Sequence, residues 1–389
     1  MLTTCRRAGR AILIAVCSSL LPYGAAAADD ASLRAVVDAA VVPLMAEHAV
    51  PGMAVAVSVD GQTWFYNYGL ASRETQTPVS QDTLFELGSI SKTFTATLAT
   101  YAQGQGALSL EDHPGKYLAQ IKGSALDQAR LFELGAYAAG GLPLQMPETV
   151  SDLPQAMAYF STWKPHAAPG TVRRYSNPSI GLFGHIAALA LKTDFAQAME
   201  GIVFPQLGLR HTYVNVPPGA QAHYAWGHRD GKPVRVGPGV FAAEAYGVKS
   251  SSADMIRYLQ ANIDPARLLG PMARAVAATH LGYFDMGPMV QGLGWEQYPY
   301  PVTLTRLLEG NGEAMLRQAN AAKALVPARP PVEPALFNKT GSTGGFGAYV
   351  LFVPQKKLGI VMLANKNYPI PARVKAAYAI LEQAARMVQ

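Results

Sequence analysis

Two pairs of apolar runs, one pair near each end of the chain, constrain the fold more than any other feature. Gly52 to Val59 and Thr63 to Leu70 are apolar and aromatic segments joined at Asp60-Gly61, a dipeptide suited to a tight hairpin turn. Phe346 to Val353 and Leu358 to Ala364 repeat the pattern around Pro354-Gln-Lys-Lys357. Helical spacing brackets them, over Ser32 to His48 at one end and Ala372 to Val388 at the other. The middle is richer in Ala, Leu, Gly and Pro. There Thr93 to Gln103, Met157 to Ser161 and Ile180 to Leu191 read as helices, and Pro169-Gly170, Pro218-Gly219 and Pro238-Gly239 punctuate long loops. This order predicts an α+β fold, with an antiparallel sheet formed from both termini, flanked by helices, and a large, mostly helical insertion. The expected division is a sheet domain over 29–105 and 300–389, a helical domain over 106–299, and an active site at their interface.

The first 28 residues read as a secretory signal peptide. Arg6, Arg7 and Arg10 precede the apolar run Ala11 to Leu21, which is too short to span a bilayer, and Ala25 to Ala28 offer small residues for cleavage after Ala26, Ala27 or Ala28. A twin-arginine reading of Arg6-Arg7 fits the following residues poorly. Both cysteines, Cys5 and Cys17, fall inside this leader, so the mature chain is expected to carry no disulfide, thiol nucleophile or cysteine metal site. Val16 before Cys17 argues against a lipid-anchored cysteine. Loss of the three leader arginines takes the formal charge from +6 to +3, too small a surplus to argue for nucleic acid or membrane partners. No later apolar segment reaches spanning length, so a soluble product is expected; the leader directs it to the periplasm, and the sequence is silent on oligomeric state, a monomer being the default.

The chemistry-bearing residues lie in three separate segments. Ser89 follows Gly88 and opens a helical pattern through Lys92, Phe94 and Leu98. A serine there sits among unpaired backbone N–H groups that favour developing negative charge. Lys92, one turn on, shares its face. A second Ser-x-x-Lys, Ser161-Thr-Trp-Lys164, runs into Pro165, which ends the helix needed to place the pair. Tyr175-Ser-Asn177 follows Pro169-Gly170 and precedes a helix from near Pro178, so a tight loop can present both side chains to a cleft; Tyr213-Val-Asn215 is a second copy. Lys339-Thr340-Gly341 has no second copy, and its plain alternative is an edge strand with an exposed lysine. A side chain at Gly341 is expected to obstruct a substrate lying along the strand. Gly344-Gly345-Phe346-Gly347 reads either as a tight strand approach or as a flexible loop. A serine nucleophile, two lysines, a phenol and a glycine-opened strand edge are the parts needed to acylate a serine without histidine.

Phe85-Glu-Leu-Gly-Ser-Ile-Ser-Lys-Thr-Phe94, Arg174-Tyr-Ser-Asn-Pro-Ser-Ile-Gly-Leu-Phe-Gly-His185 and Asn338-Lys-Thr-Gly-Ser-Thr-Gly-Gly-Phe-Gly347 together resemble the class C serine β-lactamases. The resemblance continues through Ala138–Gln145, Ala242–Ser250, Gln291–Glu296 and Ile360–Pro369, over nearly all the mature chain. It implies the serine β-lactamase/DD-peptidase-like fold and a hydrolase of cyclic amides that forms an acyl-enzyme and clears it with water. By the same resemblance, Ser89 is the nucleophile. Lys92 and Tyr175 share its proton, and Tyr175 activates the deacylating water. Lys339 holds Tyr175 electrostatically, and the backbone N–H groups of Ser89 and Ser342 form the oxyanion hole. Asn177 and Gln145 match amide-binding groups for the acylamino side chain, Tyr246 lines the pocket at that end, and Thr340, Asn367 and Arg373 match positions near the substrate carboxylate. Ile370 departs from the pattern, standing where some members carry asparagine, so Asn367 or Arg373 would have to serve the carboxylate.

Other chemistries find no support. None of the eight histidines forms His-x-His-x-Asp or His-Glu-x-x-His, so no metal is expected, and His185 and His228 read as structural. The chain holds no Gly-x-Ser-x-Gly elbow, no Gly-x-Gly-x-x-Gly and no phosphate-binding loop, and no cofactor is expected. Trp64-Phe-Tyr66 reads as strand packing. The rival functions are a D-alanyl-D-alanine carboxypeptidase or esterase on the same scaffold, and a non-catalytic β-lactam or peptidoglycan binder. Preference among β-lactams rests on the loops over Pro217 to Gly247 and Gly282 to Gly294, whose shape the sequence does not disclose.

Overall fold

A computed structural model describes residues 1–2 and 23–387, those from 23 to 29 as backbone alone. Cys5, Cys17 and the apolar run of the expected leader lie outside the described residues. The first helix, α1 (Tyr23–Glu47), begins before the expected Ser32. Six further helices of more than eight residues follow: α2 (Ser91–Gly104), α3 (Leu153–Thr162), α4 (Asn177–Ala190), α5 (Ser252–Ile263), α6 (Gly270–Ala278) and α7 (Ile370–Arg386).

One ten-stranded antiparallel sheet organises the molecule. Its strands are β1 (Gly52–Val59), β2 (Gln62–Ser72), β3 (Thr77–Pro78), β4 (Gly282–Asp285), β5 (Val290–Gly292), β6 (Glu296–Pro299), β7 (Lys323–Arg329), β8 (Ala335–Ser342), β9 (Gly347–Val353) and β10 (Leu358–Ala364). The spatial order is β7-β4-β5-β6-β8-β9-β10-β1-β2-β3, so the two termini meet at β10 and β1, from Met53 opposite Ala364 to Val59 opposite Leu358. The β1–β2 turn has φ of +48° at Asp60 and +86° at Gly61, the left-handed geometry a two-residue hairpin needs and Asp-Gly tolerates. Strands β1, β9 and β10 are buried on both faces, which explains their unbroken apolar runs. Helix α7 covers one face, where Arg373 meets Gly347; α5 covers the other, where Leu259 and Ile263 meet Gly359.

Two expectations about organisation are corrected. Strands β4, β5 and β6 belong to the main sheet, so the division at residue 300 falls inside it, and α5, expected in the helical domain, packs on the sheet. These strands are three or four residues long and rich in Gly, too short to display a period of two. Much of 106–299 is also short turns rather than long helices.

Helix α2 runs through the centre, with every residue from Ser91 to Thr100 buried. Its threonines satisfy their hydroxyls internally: Thr93 donates to Ile90 O at 2.8 Å and Thr97 to Thr93 O at 2.9 Å, while Thr95 reaches Glu244 O at 2.6 Å and Thr100 reaches Ala275 O at 2.8 Å. Phe94 stacks on Tyr258 of α5 at 4.1 Å. The start of α2 is thereby fixed against both the sheet and the intervening segment.

Candidate active site

Ser89 lies in a single 3-10 turn, Gly88–Ile90, immediately before α2. Gly88 has φ of +54°, and a β-carbon there would lie 2.6 Å from the Ser342 carbonyl oxygen. Gly341 is just as constrained: a β-carbon would overlap the Leu87 carbonyl oxygen and stand 3.2 Å from Ile90. The two glycines let the Ser89 turn and the end of β8 touch backbone to backbone, which brings Ser89 beside Ser342. This corrects the expected role of Gly341, since its side-chain space is taken by the Leu87–Ile90 turn rather than by substrate. Gly345 and Gly347 are close approaches too, with β-carbons that would meet Val234 at 2.5 Å and Arg373 at 2.8 Å, so the glycine run is a packed turn.

Three charged or polar side chains converge on Ser89 from three elements. Lys92, fully buried, donates from Nζ to Ser89 Oγ at 3.0 Å and to the Ala245 carbonyl at 2.6 Å. Tyr175 is 4 % exposed, and its hydroxyl is buried with no hydrogen-bond partner. It is presented just ahead of α4, whose N-cap Ser176 accepts from Ser179 N at 3.1 Å with Pro178 in the first turn. The ammonium groups of Lys92 and Lys339 stand 5.1 and 5.0 Å from the Tyr175 ring centroid. Lys339, 2 % exposed, pairs with Glu296 of β6 at 3.2 Å.

The electrostatics divide labour between the lysines. Burial draws Lys92 down to about 8, against the opposing pull of Tyr175 and with help from Lys339. Burial acts the same way on Lys339, but Glu296 and then Tyr175 outweigh it, and its pKa ends above the ordinary lysine value. Lys339 is therefore a fixed cation, and Lys92 can exchange a proton near neutrality. Burial would push the Tyr175 phenol up, yet Lys339, Lys92 and the Ser89 hydroxyl together hold it below its usual value. A phenol drawn down between two ammonium groups and facing a serine can take and return that serine's proton.

The remaining predicted residues sort by exposure. Asn177, near-buried, donates to Gln145 Oε1 at 3.0 Å, so these two amides form one unit at the mouth. Tyr246 is half-buried and follows Ala245, whose carbonyl holds Lys92. Thr340 and Ser342 are half-buried along β8, and Asn367 is exposed. Arg373 does not stand in the open cleft. It is 0 % exposed, donating to Gly341 O at 2.6 Å, Ser342 Oγ at 3.0 Å, Asn367 Oδ1 at 2.7 Å and also to the Tyr368 carbonyl. Burial draws it down to about 10, so it stays charged at neutral pH. It fixes Ser342 and Asn367 from behind, and direct contact with a substrate carboxylate is replaced by that indirect role. Beside Tyr175 and Thr340 a small pocket opens, walled by Asn311, Leu316 and Ile370.

Several members were missed in the sequence. Glu296 fixes the charge of Lys339. Arg173, 1 % exposed, lies 5.6 Å from the Tyr175 ring and is held by Gln291 at 2.8 Å. Tyr137 packs on Tyr175 at 4.8 Å. No spacing marks a buried charge, so only the quoted Gln291–Glu296 stretch pointed toward one of them. Ser161 and Tyr213 of the second motif copies bond only to nearby carbonyls, Ala158 O and Arg210 O. Among the described residues no group of three or more His, Cys, Asp or Glu could hold a metal, and no helix is long and apolar enough to cross a membrane.

Comparison with known proteins agrees with this geometry. A β-lactamase family model matches residues 37–385. The β-lactamase of Pseudomonas fluorescens is 51% identical over 350 residues, 90% of this chain and 98% of that one. That of Escherichia coli strain K12 is 44% identical over 347 residues, 89% of this chain and 92% of its own. Among solved structures, a β-lactamase/D-alanine carboxypeptidase from Pseudomonas syringae matches with a TM-score of 0.88 at 51% identity, covering 90% of this chain and 99% of that one. A class C β-lactamase in complex with cefoxitin matches with a TM-score of 0.88 at 48% identity, covering 91% and 99%. A chain matched over almost its whole length, with Lys92 bonded to Ser89 and Tyr175 packed beside that lysine, belongs to the β-lactamase family, in its class C serine branch.

Proposed function

We propose that this protein opens the β-lactam ring of penicillins and cephalosporins through a Ser89 acyl-enzyme, conferring resistance to those antibiotics. Ser89 Oγ attacks the lactam carbonyl while Tyr175, with charged Lys92 hydrogen-bonded to the same oxygen, takes its proton and passes it to the departing ring nitrogen. Tyr175 then deprotonates the water that cleaves the ester. The N–H groups of Ser89 and Ser342 receive the oxyanion; one such donor contributes about 3–4 kcal/mol to the transition state. Gln145 and Asn177 bind the acylamino amide, Tyr246 flanks it, and Thr340 and Asn367 face the carboxylate, with Gly341 and Arg373 holding the strand behind them. No cofactor or metal is required.

The 3.0 Å contact from a titratable, buried Lys92 to Ser89 carries this reading. Incubation with a chromogenic cephalosporin should give rapid turnover and a transient mass increase on Ser89, absent in Ser89→Ala; turnover that survives Ser89→Ala would overturn it. The leader supports export to the periplasm, and a monomer acting on small molecules, without nucleic acid or stable membrane partners, completes the reading.

A second reading is D-alanyl-D-alanine carboxypeptidase activity, favoured by the double name of the Pseudomonas syringae neighbour. A long-lived stoichiometric penicillin adduct, with release of D-alanine from a peptide, would favour it.

A further inference from the structure

The carboxylate of Glu86 lies three residues before Ser89 and takes no part in the proton transfers above. It is 1 % exposed, and among the described residues no ion pair is made to it. Three neutral donors satisfy it instead: Tyr224 Oη at 2.6 Å and Val236 N at 2.7 Å on Oε1, and Thr343 Oγ1 at 2.5 Å on Oε2. A buried carboxylate is costly unless its lone pairs are met, and here all three bonds lead to different places. Tyr224 and Val236 are the two ends of a hairpin, Gly227–Arg229 with Lys232–Val234. Thr343 directly follows Ser342.

The surroundings tie this carboxylate to the site. Leu87, the next residue, donates to Val248 O at 2.9 Å and packs under Gly341. Gly227 of the hairpin leans on the Gly345–Phe346 turn, where a β-carbon would stand 2.7 Å from Gly345 O. Arg235 covers the Tyr224 ring at 3.8 Å and closes the hairpin base over the carboxylate. From the other side, Arg373 grips Gly341 O and Ser342 Oγ. The end of β8 is thus held between a guanidinium behind it and a carboxylate beside it.

We propose that Glu86 is a positioning residue for the oxyanion side of the site, fixing the Ser342 N–H relative to Ser89 through Thr343 while pinning both ends of the 224–236 hairpin as the adjacent wall. This rests on the acyl-transfer reading of Ser89. A displaced donor costs rate more than affinity, because the oxyanion forms only during reaction. Glu86→Ala and Thr343→Val should each lower kcat for a chromogenic cephalosporin by about 10- to 100-fold, with KM changed by less than about 3-fold. Glu86→Gln should recover most of the rate, since its oxygen can accept from Tyr224 and Val236 while its amide donates to the Thr343 hydroxyl. Thr343→Val leaves the hairpin bonds intact and keeps the test decisive if Glu86→Ala folds poorly.

Amide hydrogen exchange supplies a readout independent of turnover. Exchange over 341–347 should rise in both variants, and over 224–236 only in Glu86→Ala. A lowered melting point with kcat within about 2-fold of wild type, or unchanged exchange in both segments, would reduce Glu86 to an ordinary loop staple. Inactive wild-type protein with these exchange changes would instead refute the acyl-transfer reading and leave the clamp standing.

Discussion

Removing one oxygen atom tests the proposed division of protons most directly. Tyr175→Phe keeps the ring packed on Tyr137 and deletes a buried hydroxyl that has no hydrogen-bond partner within ordinary limits. The substitution preserves volume, so the free energy of unfolding should stay within about 1.5 kcal/mol of wild type. The chemical loss is far larger. The ammonium groups of Lys92 and Lys339 stand 5.1 and 5.0 Å from the ring centroid; a unit charge at about 5 Å from a phenolate contributes on the order of 3 kcal/mol at an effective dielectric near 20. Phenylalanine can neither use that field nor carry a proton. A positioned general acid–base group contributes about 10²- to 10⁴-fold, or about 3–5 kcal/mol of barrier, and in the proposed mechanism Tyr175 serves both acylation and deacylation. Stopped-flow hydrolysis of a chromogenic cephalosporin should show kcat reduced by at least about 100-fold, with mass spectrometry following the acyl-enzyme and calorimetry following the fold. Turnover within tenfold of wild type, with the fold intact, would refute a phenolic base and leave Lys92 alone to do the work.

The other outcomes follow from the same arrangement. Lys92 titrates at about 8, and its charge helps hold the Tyr175 proton off, so kcat/KM should fall as pH rises through about 8; a rate that climbs there would make neutral Lys92 the base. Burial lowers the folded pKa of Lys92 from 10.5 to about 8, so the unfolded chain binds more protons between those values and this group's contribution to stability rises with pH across that window. Below it the buried charge costs roughly 3 kcal/mol, so Lys92→Met should abolish turnover while raising the unfolding midpoint at pH 7, as differential scanning calorimetry would read. Gly341→Ala places a methyl into the Leu87 carbonyl and Ile90, so β8 must move from the nucleophile turn. Its kcat should drop by at least about tenfold, with lowered stability; a wild-type rate would show that the strand and turn tolerate separation.

What could be read from the sequence was local. Asp60-Gly61 announced its turn because two adjacent residues had to adopt positive φ, and the apolar runs of β1, β9 and β10 were unbroken because both faces are covered. Ser89 and Lys92 were legible because one helical turn fixes their relation, and Tyr175 because Pro178 and Ser176 mark where α4 begins. Whatever depended on distant partners stayed hidden. Glu296, Glu86, Arg173 and Arg373 are charged residues that composition assigns to the surface, yet each is buried against a group far away in the chain. Arg373 was drawn toward substrate by the resemblance alone, whereas its two terminal guanidinium nitrogens are taken by Gly341, Ser342, Asn367 and Tyr368. Gly341 was assigned its small size for the wrong neighbour for the same reason: the strand pattern showed a need for space, and only the packing shows that Leu87 fills it. Ser89, the proposed nucleophile, is therefore surrounded by a shell of buried charges whose pairing is a property of the fold. Lys339 is the clearest instance, since its tripeptide is legible in the chain while the partner that keeps it cationic lies on β6, one strand over.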